Sequence, residues 1–542
     1  MGLVRRLSWW VLILALAQPL RAQISPRGNS ALEFKEHRKN IQATPEPTGF
    51  LENVVNGKLT LSLDVATRLA LANNTDIRID KEQIATAKDA LQRSFGAFDP
   101  NLQASFNSTR QVSPQYTELG GAPTLSSLSQ ATQVGVTQTL ETGTNYQVSF
   151  GSSKFTSNSS FFFFSPAYFT NLTFSVTQPL LKGAGLFVNR APIYIAQRGV
   201  AQSRATFEAE VNDLLLQIVF DYWNVIQARE NVVLQQESLD EARKSYDRDK
   251  HALELGALPP LDIYRSESQV ASRRVAAIQS EYALKQMEDQ LRRDLGADVD
   301  PNIRALDLDL TEKPEPSVAL MSIDIPTALD KALSYRPELE SVRQRLASDD
   351  ANIRVARNNR EPNLSLNGSY QTGGLNNITV NGSFAAGTYG DAVGQMFGFG
   401  YPTYTLGATL SYPFRNHQAE AALGDALSSK RHDEYSDRRL REAITLDVAN
   451  SVHQLEEFKL SMEAAKIARD LAKKTLDAEQ HKYELGAETV FFVLEAQTEL
   501  TQAEQNLLQA QVNYQLAAAK VDHDTGRLLG RLQVQIQGLT DH

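Results

Sequence analysis

His251, Glu254, Leu255, Gly256 and Ala257 recur 230 residues later as His481, Glu484, Leu485, Gly486 and Ala487. A turn written twice at that distance, in a chain without obvious low complexity, implies two copies of one structural plan. Other anchors agree. Asp99-Pro100-Asn101-Leu102 matches Glu361-Pro362-Asn363-Leu364 at an offset of 262, and Gln178-Pro179 matches Tyr412-Pro413 at 234. Asp240, Ala242, Lys244 and Asp247 match Asp470, Ala472, Lys474 and Asp477 at 230, as Gly296 matches Gly526. The offset drifts only where loops tolerate insertion.

Each copy switches hydrophobic period twice. Leu63, Ala66, Leu69 and Ala70, then Ile77, Ile84, Ala87 and Leu91, keep helical spacing until Gly96 and Pro100 break it. In "NLQASFN" and "LTFSVTQ" apolar and polar residues then alternate, which predicts strands with unlike faces. "QVGVTQTL" and "NYQVSF", joined by "ETGT", alternate too and add a strand pair to the first half. Segments 111–130, 152–168 and 373–400 read as long loops, and "FFFFSPAYF" at 161–169 reads either as an aromatic belt at an outer rim, the favoured reading, or as loop packing. Helix returns after "TQPLLKGAG"; no proline lies between Ile193 and Leu258, and Pro259-Pro260 separate this stretch from a second helix ending near Leu295. The second half predicts helix over 326–359, strands at "NLSLNGSY" and "YTLGATLSY", and an apolar seam at Ile444, Val448, Val452, Leu455, Phe458 and Met462.

The formal charge of −10 argues against nucleic acid, whose phosphates need clustered Lys and Arg. The absence of cysteine excludes disulfides, thiolate metal sites and a Cys nucleophile. "MGLVRRLSWWVLILALAQPLRAQ" has the basic and short apolar regions of a secretory signal. The expected organisation is a signal peptide at 1–22, an extended leader at 23–58, a first repeat at 59–311, a linker at 312–322, a second repeat at 323–530 and a tail at 531–542.

Strands of about ten residues with one apolar and one polar face fit a transmembrane β-barrel. A few strands per chain cannot close one, and an open edge in lipid is prohibitively costly, so several chains must share the barrel. Charged stretches such as "DEARKSYDRDKHALE" keep the long helices out of lipid. No HExxH, GxSxG or Walker motif occurs, and no close histidine pair suggests a metal, so neither enzyme nor cofactor is expected.

"LTLSLDVATRLALANNTDI", "FDPNL", "EPNL", "TQPLLKG", "LSYPF" and "YELGAETVFFVLEAQTELTQAEQNLLQAQVNY", in that order of roles, resemble the TolC family of outer-membrane efflux and secretion channels over about 59–530. The resemblance implies an α+β membrane protein of the Gram-negative outer membrane. It implies a homotrimer whose transmembrane β-barrel is continuous with a long periplasmic α-helical barrel, with two structural repeats per protomer. It also implies two partners, a periplasmic adaptor and an inner-membrane pump, for which the chain is a passive exit duct. The family usually has four strands per protomer, whereas six are counted here, so the extra pair either widens the barrel or projects above it. The alternative is a periplasmic adaptor or coiled-coil connector, which would lack the alternating strands.

By the same resemblance the doubled turns are entrance tips where an adaptor docks, at Gly256 and Ala257 and at Gly486 and Ala487. The family places acids after the second turn; the matching positions are Phe492 and Glu495. Asp262 holds the acid position after the first turn, with Tyr483 as its possible partner and Glu488 where a basic residue can sit. Asp262, Tyr483, Glu488, Phe492 and Glu495 are thus the expected gate residues.

Overall fold

Two consecutive helices lie ahead of the sheet, each capped by the side chain before it. Ser62 Oγ accepts from the Val65 amide at the start of α1 (Leu63–Asn73), and Asn74 Oδ1 accepts from Asp76 and Ile77 at the start of α2 (Thr75–Phe95). The computed structural model describes residues 47–255, 261–298, 300–316, 323–380 and 383–532. The signal peptide, most of the leader, Gly256, Ala257, Pro259 and Pro260 lie outside the described residues, as does most of the tail. At the end of the leader Phe50 is buried, and β1 (Val54–Val55) pairs with β2 (Lys58–Leu61).

After α2 come β3 (Asn101–Pro114), β4 (Thr124–Thr139), β5 (Asn145–Ser157) and β6 (Ala167–Pro179). Helix α3 (Leu186–Glu254) has 69 residues, about 100 Å at 1.5 Å per residue. It begins ahead of the proline-free stretch and carries Pro192 near its start. Helix α4 (Asp262–Leu295) returns antiparallel, ending where the sequence places the stop. A short helix, α5 (Pro301–Arg304), leads to β7 (Asp307–Leu310), which pairs parallel with β2.

The second half retraces this order. The helix expected over 326–359 is two helices, α6 (Ile325–Tyr335) and α7 (Pro337–Asn358). Arg336 precedes a proline and is extended, at φ −68° and ψ 124°, because proline disfavours helical geometry in the residue before it. Asn74 breaks the first half at the corresponding place with ψ 131°. Strand β8 (Asn363–Leu375), a hairpin of β9 (Asn377–Val380) and β10 (Ser383–Ala386), helix α8 (Tyr389–Phe397) and β11 (Pro402–Ser411) follow. Helices α9 (His417–Glu484), α10 (Val490–Asp524) and α11 (Leu528–Arg531) complete the described chain. No helix among the described residues is long and apolar enough to cross a membrane.

Six strands form one antiparallel sheet in the order β11-β8-β6-β5-β4-β3. The pair β4–β5 is therefore built into the sheet between β3 and β6. Its turn lies at the helix end, where Arg190 Nη2 is 2.7 Å from Glu141 Oε2. The segments read as loops shrink accordingly: β3 and β4 take up most of 111–130, β5 extends to Ser157, and 373–400 contains β9, β10 and α8. Register makes the two faces explicit. Leu102, Val136, Val148, Phe174, Tyr370 and Tyr404 form one row across all six strands. The adjacent row, on the other face, is Gln103, Gly135, Ser149, Thr173, Gln371 and Thr403. Phe161, Phe162 and Phe163 are exposed at the end of the sheet away from the long helices.

The helices bury two apolar clusters. The first joins Leu61, Leu215, Ile218, Tyr222, Ile226, Leu291 and Leu295, where β2, α3 and α4 meet. The second contains the expected seam: Ile444, Val448, Val452, Leu455 and Met462 are buried, with Phe458 packed against them. Beside the first cluster, Asp221 is buried, with Gln217 Nε2 donating to it at 3.1 Å. Burial, then a hydrogen bond shared with Asp294, push its carboxyl up to about 7, although Gln217 acts in the opposite direction. A carboxyl raised on folding lends stability that is complete below its ordinary range and lost as pH rises toward 7. Urea midpoints followed by circular dichroism should therefore fall between pH 5 and pH 8, and Asp221→Asn should flatten that slope; an unchanged slope would exclude Asp221 as its source.

Candidate entrance at the hairpin tips

The end of α9 is fixed by backbone geometry. The amide of Gly486 donates to the Tyr483 carbonyl at 2.9 Å and that of Ala487 to the Lys482 carbonyl at 3.0 Å. This is a Schellman stop, and Gly486 adopts the required left-handed conformation at φ +70°. The same Glu lies three residues beyond the same His in both halves of the chain: His251 Nδ1 is 3.4 Å from Glu254 Oε2, and His481 Nδ1 is 3.7 Å from Glu484 Oε2.

Helix α3 packs on α10, so the two hairpins lie side by side. From Gln227 to Ser245 on α3 their seam is a strip of uncharged polar pairs, whereas farther from the tips Leu508 and Val512 of α10 join the first apolar cluster. Gln227 bonds Gln509, Gln505 Nε2 donates to Asn231 Oδ1 at 3.1 Å, Ser238 and Thr501 hydroxyls are 3.3 Å apart, and Gln497 Nε2 donates to Ser245 Oγ at 3.2 Å. Arg273 Nη2 on α4 donates to Thr498 Oγ1 on α10 at 2.8 Å.

At the tip end of this strip lies Asp249, fully buried. Its carboxylate accepts from Tyr483 Oη at 3.0 Å and from Ser266 Oγ, tying α3 to both α9 and α4. The Arg248 guanidinium lies 5.5 Å from the centre of the Tyr483 ring. Tyr483 thus does bridge the two hairpins, and its acid is Asp249. Asp262 is the first residue of α4. Glu488 is half-buried beyond the second turn, and its charge helps hold the Lys482 ammonium above its usual range, after the larger contribution of Glu479. Phe492 and Glu495 are both exposed. Phe492 packs edge-on against Phe491 at 5.4 Å, and Arg265 of α4 sits 5.7 Å from the Phe491 ring. Among the described residues no group of three His, Asp or Glu is placed to hold a metal ion.

Asp249 escapes the sequence reading because it sits in the charged run "DRDK". Its signal is positional: Gln235, Leu239, Ala242, Ser245 and Asp249, all buried, step by four, three, three and four along one face of α3.

The architecture is thus one of paired long helical hairpins continuous with a six-stranded sheet of opposed apolar and polar faces. The model of the family described as Outer membrane efflux protein matches residues 66–297 and 328–527, so the chain belongs to that family. The Outer membrane protein TolC of Escherichia coli (strain K12) is 25% identical over 335 residues, 60% of this chain and 63% of its own length. The Pyoverdine export outer membrane protein OpmQ of Pseudomonas aeruginosa is 26% identical over 317 residues, 56% of this chain and 59% of its own. The chain therefore spans less than two thirds of the length of either relative in these matches. The crystal structure of the CmeC outer membrane channel of Campylobacter jejuni shares the fold, with a TM-score of 0.63 at 15% identity, covering 90% of this chain and 94% of that one.

Asp249→Ala leaves the Tyr483 and Ser266 hydroxyls without their acceptor, a cost of about 1–3 kcal/mol for buried groups. Amide hydrogen exchange in the last two turns of α9 should accelerate in this variant and, more weakly, in Tyr483→Phe. Exchange as slow as in the parent would mean that the bond does not hold the tips together.

Proposed function

We propose that three copies of this chain form the outer-membrane exit duct of a tripartite efflux pump or type I secretion system. The duct is passive, with no catalysis of its own, and receives substrate from an inner-membrane pump through a periplasmic adaptor. The observation that carries this reading is the six-stranded sheet. It is apolar on one face, polar on the other and unpaired at both β3 and β11. Three such sheets joined edge to edge give a closed barrel of eighteen strands, a size that leaves an aqueous channel. The polar face lines the pore. The matching order of elements in the two halves supports a periplasmic tube in which the hairpins pack quasi-equivalently, six per trimer.

On this reading the hairpin tips form the periplasmic mouth. Gly256, Ala257, Gly486 and Ala487 present the turns to the adaptor, Tyr483 with Asp249 latches one hairpin to the other, and Asp262 and Glu488 set the local charge. Glu495 contributes an acidic ring of three and Phe492 an apolar one.

Heat-sensitive trimers in the outer-membrane fraction are the expected result of fractionation and crosslinking. A soluble periplasmic monomer would support a coiled-coil connector instead. In planar bilayers the trimer should conduct, and Glu495→Ala should raise the conductance or remove block by divalent cations. Identical conductance and block in the variant would remove Glu495 from the pore lining.

A further inference from the structure

Toward the end of the sheet away from the long helices, the apolar face changes character. Thr170 and Thr372 point from the same face as Phe174 and Tyr370, yet both are buried. Helix α8 covers them. Thr170 Oγ1 donates to the Ala392 carbonyl and Thr372 Oγ1 to the Met396 carbonyl, each at 2.9 Å. Gln395 ties the helix down further, donating to the Asn377 carbonyl at 2.7 Å and accepting from the Leu375 amide at 3.3 Å. The approach is close because Gly374 lies beneath: a Cβ there would fall 1.9 Å from the Ala392 carbonyl oxygen.

In hydrocarbon an unsatisfied polar group costs several kcal/mol, so pairing these two hydroxyls favours a covered wall here. The helix satisfies them and presents its own surface in their place. At about 100° per residue its nine residues fall into three sectors. Ala392 and Met396 face the sheet and are fully buried. Tyr389, Val393 and Phe397, with Gly390 and Gly394, make a flank without charge; Tyr389 is 42% and Phe397 37% exposed. The opposite flank carries Thr388, Asp391 and Gln395, and Asp391 is the one charged residue between 388 and 401. Its carboxylate is held below the usual range by hydrogen bonds from the Thr388 amide and hydroxyl, which close a capping box.

Aromatic rings continue from the helix down the same face. Tyr168 meets Tyr389 edge-on at 5.7 Å, Phe399 lies 6.3 Å from Tyr370, and Tyr370 lies 5.1 Å from Tyr404. Tyrosine concentrates where membrane meets water, its ring in the acyl region and its hydroxyl among headgroups.

We propose that α8 is a membrane-surface helix lying outside the barrel wall, with Tyr389, Val393 and Phe397 set into the outer leaflet at the boundary between headgroups and acyl chains. The proposal rests on the barrel reading above, which makes the apolar face the lipid face. Asp391 and Gln395 stay on the aqueous side, as an interfacial helix requires. Each trimer then carries three such helices as anchors fixing the depth of the barrel.

The test uses the full chain with Trp9, Trp10 and Trp223, its only tryptophans, changed to Phe. A single reporter, Phe397→Trp, is reconstituted in phosphatidylcholine vesicles whose acyl chains are brominated near the headgroup or near mid-chain. Phe174→Trp, on the bare apolar face, reports on the barrel wall, and Tyr116→Trp, in the exposed outer loop, reports on water. Bromolipid should quench Phe397→Trp to within about two-fold of Phe174→Trp, more strongly with bromine near the headgroup, and leave Tyr116→Trp largely unquenched. If Phe174→Trp is quenched while Phe397→Trp responds only to aqueous iodide, α8 is not in lipid and the proposal is wrong. If neither is quenched, the apolar face is not a lipid face, and the barrel reading fails together with the proposal.

Discussion

On the barrel reading one constraint organises the sheet and its surroundings: strand backbone in a lipid bilayer has no water to satisfy it. The sheet pairs β8, β6, β5 and β4 on both sides but leaves β3 and β11 with one partnered edge each. Both edge strands are almost wholly exposed along their length. Each unpaired peptide group costs several kcal/mol in hydrocarbon, so the isolated protomer is not a membrane-compatible object. The same constraint governs how the sheet can grow. Helices α2 and α3 leave and re-enter at one end of the sheet, so strands between them must come in even numbers. Inserting β4 and β5 as a pair preserves that parity; inserting one strand would carry the whole of α3 to the wrong side of the membrane.

Much of this is legible in the sequence. Leu102, Ala104 and Phe106 against Gln103, Ser105 and Asn107 predict a strand because the two faces meet different solvents. The signal disappears where the solvents become alike. Gln111–Pro114 and Thr124–Gln130 are strand, yet they read as loop because both faces there are largely polar. Helix α8 is hidden for a related reason: its glycines, Gly390 and Gly394, mimic loop composition, while the packing beneath it comes from Gly374 and Thr372 on β8 and from Thr170 on β6, far away in sequence.

The tips were legible in outline and less so in detail. "ELGA" predicts a helix stop, and Gly486 supplies one with the expected backbone geometry. Tyr483 could be singled out, but its acceptor could not. An acid just after the turn and an acid one turn and a half before it are equally plausible from spacing. Only the facing of α3 toward α9 selects Asp249. A buried carboxylate with two hydroxyl donors is the kind of contact that breaks as a unit, because removing one group leaves the others desolvated and unpaired.

The strip of Gln, Asn, Ser and Thr between α3 and α10 has a mechanical side. Apolar side chains interlock as knobs in holes, so sliding one helix along another means lifting each knob out of its hole. Uncharged amides and hydroxyls can instead change partners, from one to the next or to water, with little net loss. Between Gln227 and Ser245 the two hairpins therefore meet along something closer to a lubricated bearing than a gear rack, with Asp249 as the pin at its end, while farther from the tips Leu508 and Val512 interlock with the apolar cluster of α3.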